Sequence, residues 1–169
     1  MPNGVHHIPL ELPWSTPGNV NVYLLEENDG YVMIDCGVDG SEYLKLLEMH
    51  LNQLGITFND IKLLVGTHMH IDHIGLSQRL REFDIPFALY KNSIDYLDEY
   101  NDWSIRFKDL IRMAKNEYTP VSFIDDLKSI STPLYAGKLE KPDILLSEGR
   151  IKSIRRNLNV VFTPGHDYS

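Results

Sequence analysis

The stretch IKLLVGTHMHIDHIG, residues 61–75, joins an apolar run to a cluster of titratable side chains. IKLLVGT, 61–67, is short and nearly all apolar, as a strand is when its sheet is covered on both faces. THMHIDH, 67–73, then places three of the chain's seven histidines and one aspartate within six residues, where that strand leaves the sheet. Alternate side chains of an extended segment share a face. The spacing therefore predicts that His68, His70 and Asp72 converge, with His73 turned to a neighbouring position. Four such donors crowd a single ion and suit two ions sharing them. The spacing differs from the helical zinc motif, in which two histidines lie four residues apart on one helix face. Imidazole and carboxylate donors without a thiolate point to Zn2+ first and also admit Fe or Mn. A further histidine, His166, stands in TPGH (163–166) at the end of another apolar run.

Upstream, NVNVYLLEE (19–27) and GYVMIDCG (30–37) flank Asn28-Asp29-Gly30 and read as a hairpin with an Asx-Gly turn. VHHIPLELP (5–13) reads as an edge strand because of its prolines. A helix follows, with Asp39 as its cap and Glu42 completing a capping box. Tyr43, Leu44, Leu47, Leu51 and Leu54 fall at helical spacing and Gly55 ends it. GLSQRLREF (75–83) reads as a short helix and PFALY (86–90) as a strand. This alternation of strands and helices predicts a layered α/β domain. Residues 92–131 interrupt it with two or three helical faces, a helical insertion that either covers core or forms a lid. Strands resume at DILLS (143–147), around RIKSI (150–154) and at LNVVFTP (158–164).

The 169 residues suit one domain with a real core. A formal net charge of −8 counts against nucleic acid as a partner, since a phosphate backbone calls for Lys and Arg. A single cysteine, Cys36, excludes an intrachain disulfide. No apolar run approaches the roughly 20 residues of a membrane span, and the N-terminus lacks the pattern of a signal peptide. A cytoplasmic location is the expectation, with a small molecule as substrate.

Thr67-His68-Met69-His70-Ile71-Asp72-His73-Ile74-Gly75, with Thr163-Pro164-Gly165-His166 downstream and Ile34-Asp35-Cys36-Gly37 upstream, resembles the metallo-β-lactamase superfamily. The resemblance implies an αββα sandwich with metals at one edge, between the two sheets. It assigns His68, His70 and His166 to a first metal and Asp72 and His73 to a second, so that one or two Zn2+ ions are expected. Asp35 would stand beside the site and orient an imidazole. The implied chemistry is metal-assisted hydrolysis of a small ester, thioester, lactone or phosphoester, with Asp72 as the catalytic residue that orients water or accepts its proton. The alternatives are a mononuclear iron oxidoreductase or dioxygenase on the same scaffold, and a non-catalytic relic.

Three departures from the family pattern stand out. Leu76 stands where a second glycine is usual, and Asp167 where Thr or Ser is common. The sequence ends at Ser169, before the aspartate that would bridge both metals and the final histidine of the second metal that the resemblance implies. The expectation is therefore a single, incomplete domain over 1–169. It would bind one metal or none, turn over little, and self-associate through an exposed sheet edge.

Overall fold

The computed structural model describes residues 2–97, 101, 112 and 137–165. The hairpin forms as its sequence predicts. β2 (Asn19–Glu27) pairs antiparallel with β3 (Gly30–Ile34), running from Glu27 opposite Gly30 to Tyr23 opposite Ile34. β1 (Val5–Glu11) pairs antiparallel with β2 along its whole length and forms one edge. Pro9 lies in this edge strand, where a missing N–H is tolerated.

Beyond β3 the sheet turns parallel. β4 (Ile61–Val65), β5 (Phe87–Tyr90) and β6 (Ile144–Leu146) follow in that order, so six strands run β1-β2-β3-β4-β5-β6. Parallel neighbours need crossover connections. α1 (Ser41–Gln53) supplies the one between β3 and β4. The short α2 (Ile71–Ile74) and α3 (Ser77–Arg81) supply the next.

Side-chain alternation divides the strands between two cores. Met33, Leu64, Phe87 and Leu89 pack with Leu47 and Leu51 of α1 and Leu80 of α3. Val32, Leu63, Val65 and Ala88 face the other way and pack with Leu146, Ile151 and Ile154. The second face carries a small antiparallel sheet of β7 (Gly149–Arg150) and β8 (Asn159–Val160). The described residues thus form a helical layer, a six-stranded layer and part of a second β layer. Phe87 is fully buried in the first core. Phe87→Ala is expected to lower unfolding free energy by about 3–5 kcal/mol, read as the shift of the denaturant midpoint at unchanged slope.

The small sheet is tied to the β2–β3 hairpin by charge as well as by apolar contact. The backbone N–H groups of Arg155 and Arg156 donate to the Glu27 carboxylate at 2.8 and 3.0 Å. The Arg156 guanidinium donates to the carbonyls of Glu26, Asn3 and Gly4.

Several local expectations need correction. Asp39 does not cap α1: Gly40 stands at the cap without a side-chain bond, and the Asp39 carboxylate pairs with Arg79 of α3. A capping box does form nearby, where Thr57 and Asp60 bracket the 3-10 turn Phe58–Asp60. α1 ends as expected, with Gly55 at φ +73°, the Gly55 N–H bonded to the Asn52 carbonyl and the Ile56 N–H to the Leu51 carbonyl, the double closure of a Schellman motif. Residues 75–83 hold only the five-residue α3, and RIKSI and LNVVFTP yield two-residue strands. Lys91–Tyr96 is a 3-10 helix, and the rest of the predicted insertion 92–131 lies outside the described residues apart from Leu97, Asn101 and Arg112. No described helix is long and apolar enough to cross a membrane.

Candidate metal centre

The parallel strands β3 and β4 end side by side, and two loops leave the sheet together there. The first begins at Asp35, whose φ of +60° is the left-handed conformation that Asp adopts more readily than most residues. The turn is pinned on both sides. The Asp35 N–H donates to the Val65 carbonyl at 2.9 Å, and the Cys36 N–H to the His73 carbonyl at 2.7 Å. The Leu76 N–H returns a bond to the Gly37 carbonyl at 3.2 Å. Close packing completes the junction: Gly75 sits against the backbone of Val38 and Asp39, leaving no room for a β-carbon.

This geometry directs the Asp35 carboxylate, 3% exposed, into the second loop. It accepts three hydrogen bonds: from the Thr67 N–H at 2.8 Å, the Thr67 hydroxyl at 2.9 Å and His73 Nδ1 at 2.6 Å. Thr67 Oγ1 also lies 3.0 Å from His68 Nδ1. The rings of His68 and His70 have centroids 4.6 Å apart, and those of His68 and His73 4.1 Å apart. Asp72 Oδ2 approaches His73 Nε2 at 3.6 Å. Burial alone would lower the pKa of His73. The hydrogen bond to Asp35 and the charges of Asp35 and Asp72 outweigh it, so the imidazole is held above its usual value. Cys36 is the converse case: burial, with Asp35 nearby, pushes its thiol well up, so it stands as a neutral core group rather than a nucleophile.

Of the residues singled out in the sequence, His68, His70, Asp72 and His73 come together. They do so by a different route from simple alternation. β4 ends at Val65, and His68 and His70 face each other across a bend at residues 67–69. At Ile71 the chain turns helical, with the His73 and Ile74 N–H groups both closing on the His70 carbonyl, so Asp72 and His73 project from a helical turn. His166 lies outside the described residues. The segment before it, at Phe162 and Thr163, borders a cleft of about 330 Å³ whose other side is Val65, Thr67 and Tyr90; His68, His70, Asp72 and His73 do not line it. Thr67 received no role from the sequence. Its place immediately before the first histidine, as a hydroxyl at a strand end, is the only sign it gives there.

Among the described residues, no three His, Cys, Asp or Glu side chains already surround one ion-sized point. The pair at the centre nevertheless fits a cation. His68 Nε2 and His70 Nδ1 face each other at 3.0 Å. Two nitrogens on a tetrahedral Zn2+, each at about 2.0–2.1 Å, lie about 3.3 Å apart. The donor atoms are the borderline nitrogen ligands such an ion takes, and the Asp35–His73 contact is the carboxylate–imidazole support that metal-binding histidines use.

A family model described as the metallo-beta-lactamase superfamily matches residues 15–154. An uncharacterized protein of Aquifex aeolicus is 27% identical over 153 residues, which cover 88% of this chain and 55% of that protein. The probable metallo-hydrolase YqjP of Bacillus subtilis is 28% identical over 127 residues, 73% of this chain and 34% of its own length. A metallo-beta-lactamase family protein of Thermus thermophilus superposes over 98% of this chain and 53% of its own with a TM-score of 0.75 and 24% identity. BJP-1, a subclass B3 metallo-beta-lactamase of Bradyrhizobium japonicum, does so over 98% and 51% with a TM-score of 0.66 and 19% identity. The likenesses show the fold, and the chain spans about half the length of these solved structures.

Proposed function

Because the chain belongs to the metallo-β-lactamase superfamily, we propose that it contributes His68, His70, Asp72, His73 and His166 to the active site of a metal-dependent hydrolase acting on a small ester, thioester, lactone or phosphoester. The observation that carries this reading is the 3.0 Å approach of His68 Nε2 to His70 Nδ1, beside a His73 anchored on a buried carboxylate. His68 and His70, joined by His166, would hold the first ion; Asp72 and His73 would contribute to a second. Zn2+ is the ion the donors suit best, and Fe or Mn share the same donor preferences. When bound, such an ion lowers the pKa of water to about 7 and polarises the substrate oxygen.

The chain's own residues have separate tasks. Asp35 orients His73 and takes no part in the reaction. Asp72 is about a fifth exposed beside His73, and is the carboxylate placed to orient the attacking water and hold its proton. Cys36, buried and neutral, takes no nucleophilic role. The cleft beside Thr67, walled by Val65, Tyr90 and Phe162, is apolar and suits an uncharged portion of a small substrate better than a nucleic acid. The acidic balance of the chain supports the same preference.

Metal analysis of the purified chain after dialysis tests the reading. The expected result is one divalent ion per chain, with His70→Ala and His68→Ala each reducing retention by at least tenfold. Retention unchanged in both variants would refute the site. Two ions held tightly by this chain would refute the division of labour, because Asp72 and His73 alone are too few ligands for the second. A yellow-brown iron form active towards dioxygen would move the protein to the oxidoreductase alternative.

A further inference from the structure

Asp35 reaches His73 directly, whereas between Asp35 and His68 stands the hydroxyl of Thr67. Thr67 Oγ1 lies 2.9 Å from Asp35 Oδ2 and 3.0 Å from His68 Nδ1, with His73 Nδ1 at a longer 3.5 Å. The Thr67 backbone N–H is also bound to the other Asp35 oxygen at 2.8 Å, which holds the residue in register. Thr is stiff at χ1, and here its one freedom is fixed at both ends.

The number of hydrogens then decides the chemistry. A hydroxyl has one hydrogen and two lone pairs, and an ionised carboxylate only accepts. The hydrogen of Thr67 is therefore committed to Asp35, and Thr67 can offer His68 nothing but a lone pair. We infer that Thr67 fixes the tautomer of His68: Nδ1 carries the proton and donates it to Thr67, while Nε2 keeps its lone pair and faces His70. One buried carboxylate thus sets two imidazoles, His73 by direct contact and His68 through a hydroxyl relay. The inference rests on the metal-site reading only in naming Nε2 as the atom that would take the ion. Thr67 acts on the site through His68, by the hydroxyl contact at 3.0 Å, and is a positioning residue.

Thr67→Val keeps the shape and removes the relay; Thr67→Ser restores it. Two-bond 1H–15N correlation spectra of the full chain, metal-free and above the imidazole titration, report the tautomer of each histidine. The expected pattern for His68 is protonated Nδ1 in the wild type and in Thr67→Ser, and predominantly protonated Nε2 in Thr67→Val, the form favoured in water. His73 keeps its tautomer in all three. Co2+ titration should show affinity lowered about 10–100-fold in Thr67→Val and near wild type in Thr67→Ser. A wild-type His68 protonated on Nε2, or a Thr67→Val spectrum identical to the wild type, would overturn the assignment. Absence of Co2+ binding by the wild type would refute the proposed function instead, while the tautomer spectra would still decide the relay.

Discussion

Gly75→Ala is expected to unfold the protein or lower its stability by about 3 kcal/mol or more. The reason is not conformational, since Gly75 has φ −55° and ψ −42°, ordinary helical values at which alanine is favoured by about 1 kcal/mol. The reason is contact. A β-carbon there would lie 2.4 Å from the Asp39 nitrogen, 2.5 Å from the Ile71 oxygen and 2.7 Å from the Val38 carbonyl carbon. All three are backbone atoms that cannot swing aside as a side chain does. They belong to the two loops that hold the candidate site, so relief requires the loops to part, and the Cys36–His73 and Leu76–Gly37 bonds go with them. Gly55→Ala is the control. Gly55 has nothing within 4 Å of its would-be β-carbon but sits at φ +73°, which predicts a smaller loss of about 1–2 kcal/mol. Thermal or urea unfolding of both variants decides the matter. A Gly75→Ala protein as stable as Gly55→Ala would show that the loops yield more easily than their packing implies.

The second large effect concerns Asp35, for which Asn and Ala should part company. Asp35→Ala leaves two Thr67 donors and one His73 donor without their acceptor and places alanine in a left-handed conformation. Each orphaned buried donor costs about 1–3 kcal/mol, and the losses overlap because the donors share one acceptor, so a total of about 3–5 kcal/mol is expected. Asp35→Asn tolerates the backbone conformation and keeps one acceptor oxygen. Its amide, however, presents hydrogens where Asp35 Oδ2 now accepts from both Thr67 and His73. His73 must then accept at Nδ1 and carry its proton on Nε2, the wrong form for holding a metal. The expected result is a folded Asp35→Asn protein, within about 2 kcal/mol of wild type, whose Co2+ affinity is at least tenfold lower. Calorimetry beside cobalt titration separates the two properties. Wild-type affinity in Asp35→Asn would remove Asp35 from the site and leave it a structural turn.

The parts of the fold visible in the sequence were those written locally. Asn28-Asp29-Gly30 between alternating strands specifies its own hairpin, and Leu47 and Leu51 mark the buried face of α1. The loss of Asp39 as a cap illustrates the opposite case. Its carboxylate meets Arg79, forty residues away, and no local pattern weighs that partner against a cap. In the candidate site the sequence shows which side chains gather but not the path: His68 and His70 face each other across a bend beyond the end of β4, and Asp72 follows from a helical turn that begins at Ile71 and places the His73 carbonyl on the Cys36 N–H. That bond joins segments 37 residues apart. Thr67 gives no local signal because its role depends on three partners meeting one oxygen, which only the folded arrangement brings about.

The Arg156 clamp on Glu26, Asn3 and Gly4 has a consequence for how the chain comes to be folded on the ribosome. The β2–β3 hairpin emerges early, but the guanidinium that grips it beside its turn is made 130 residues after Glu26. At about 5–20 residues per second that is a wait on the order of 6–26 s. Through that interval Val32 and the outward face of the nascent hairpin have no second layer to cover them. A chaperone that shields an apolar strand face has its natural window there, and the clamp marks the moment at which the window closes.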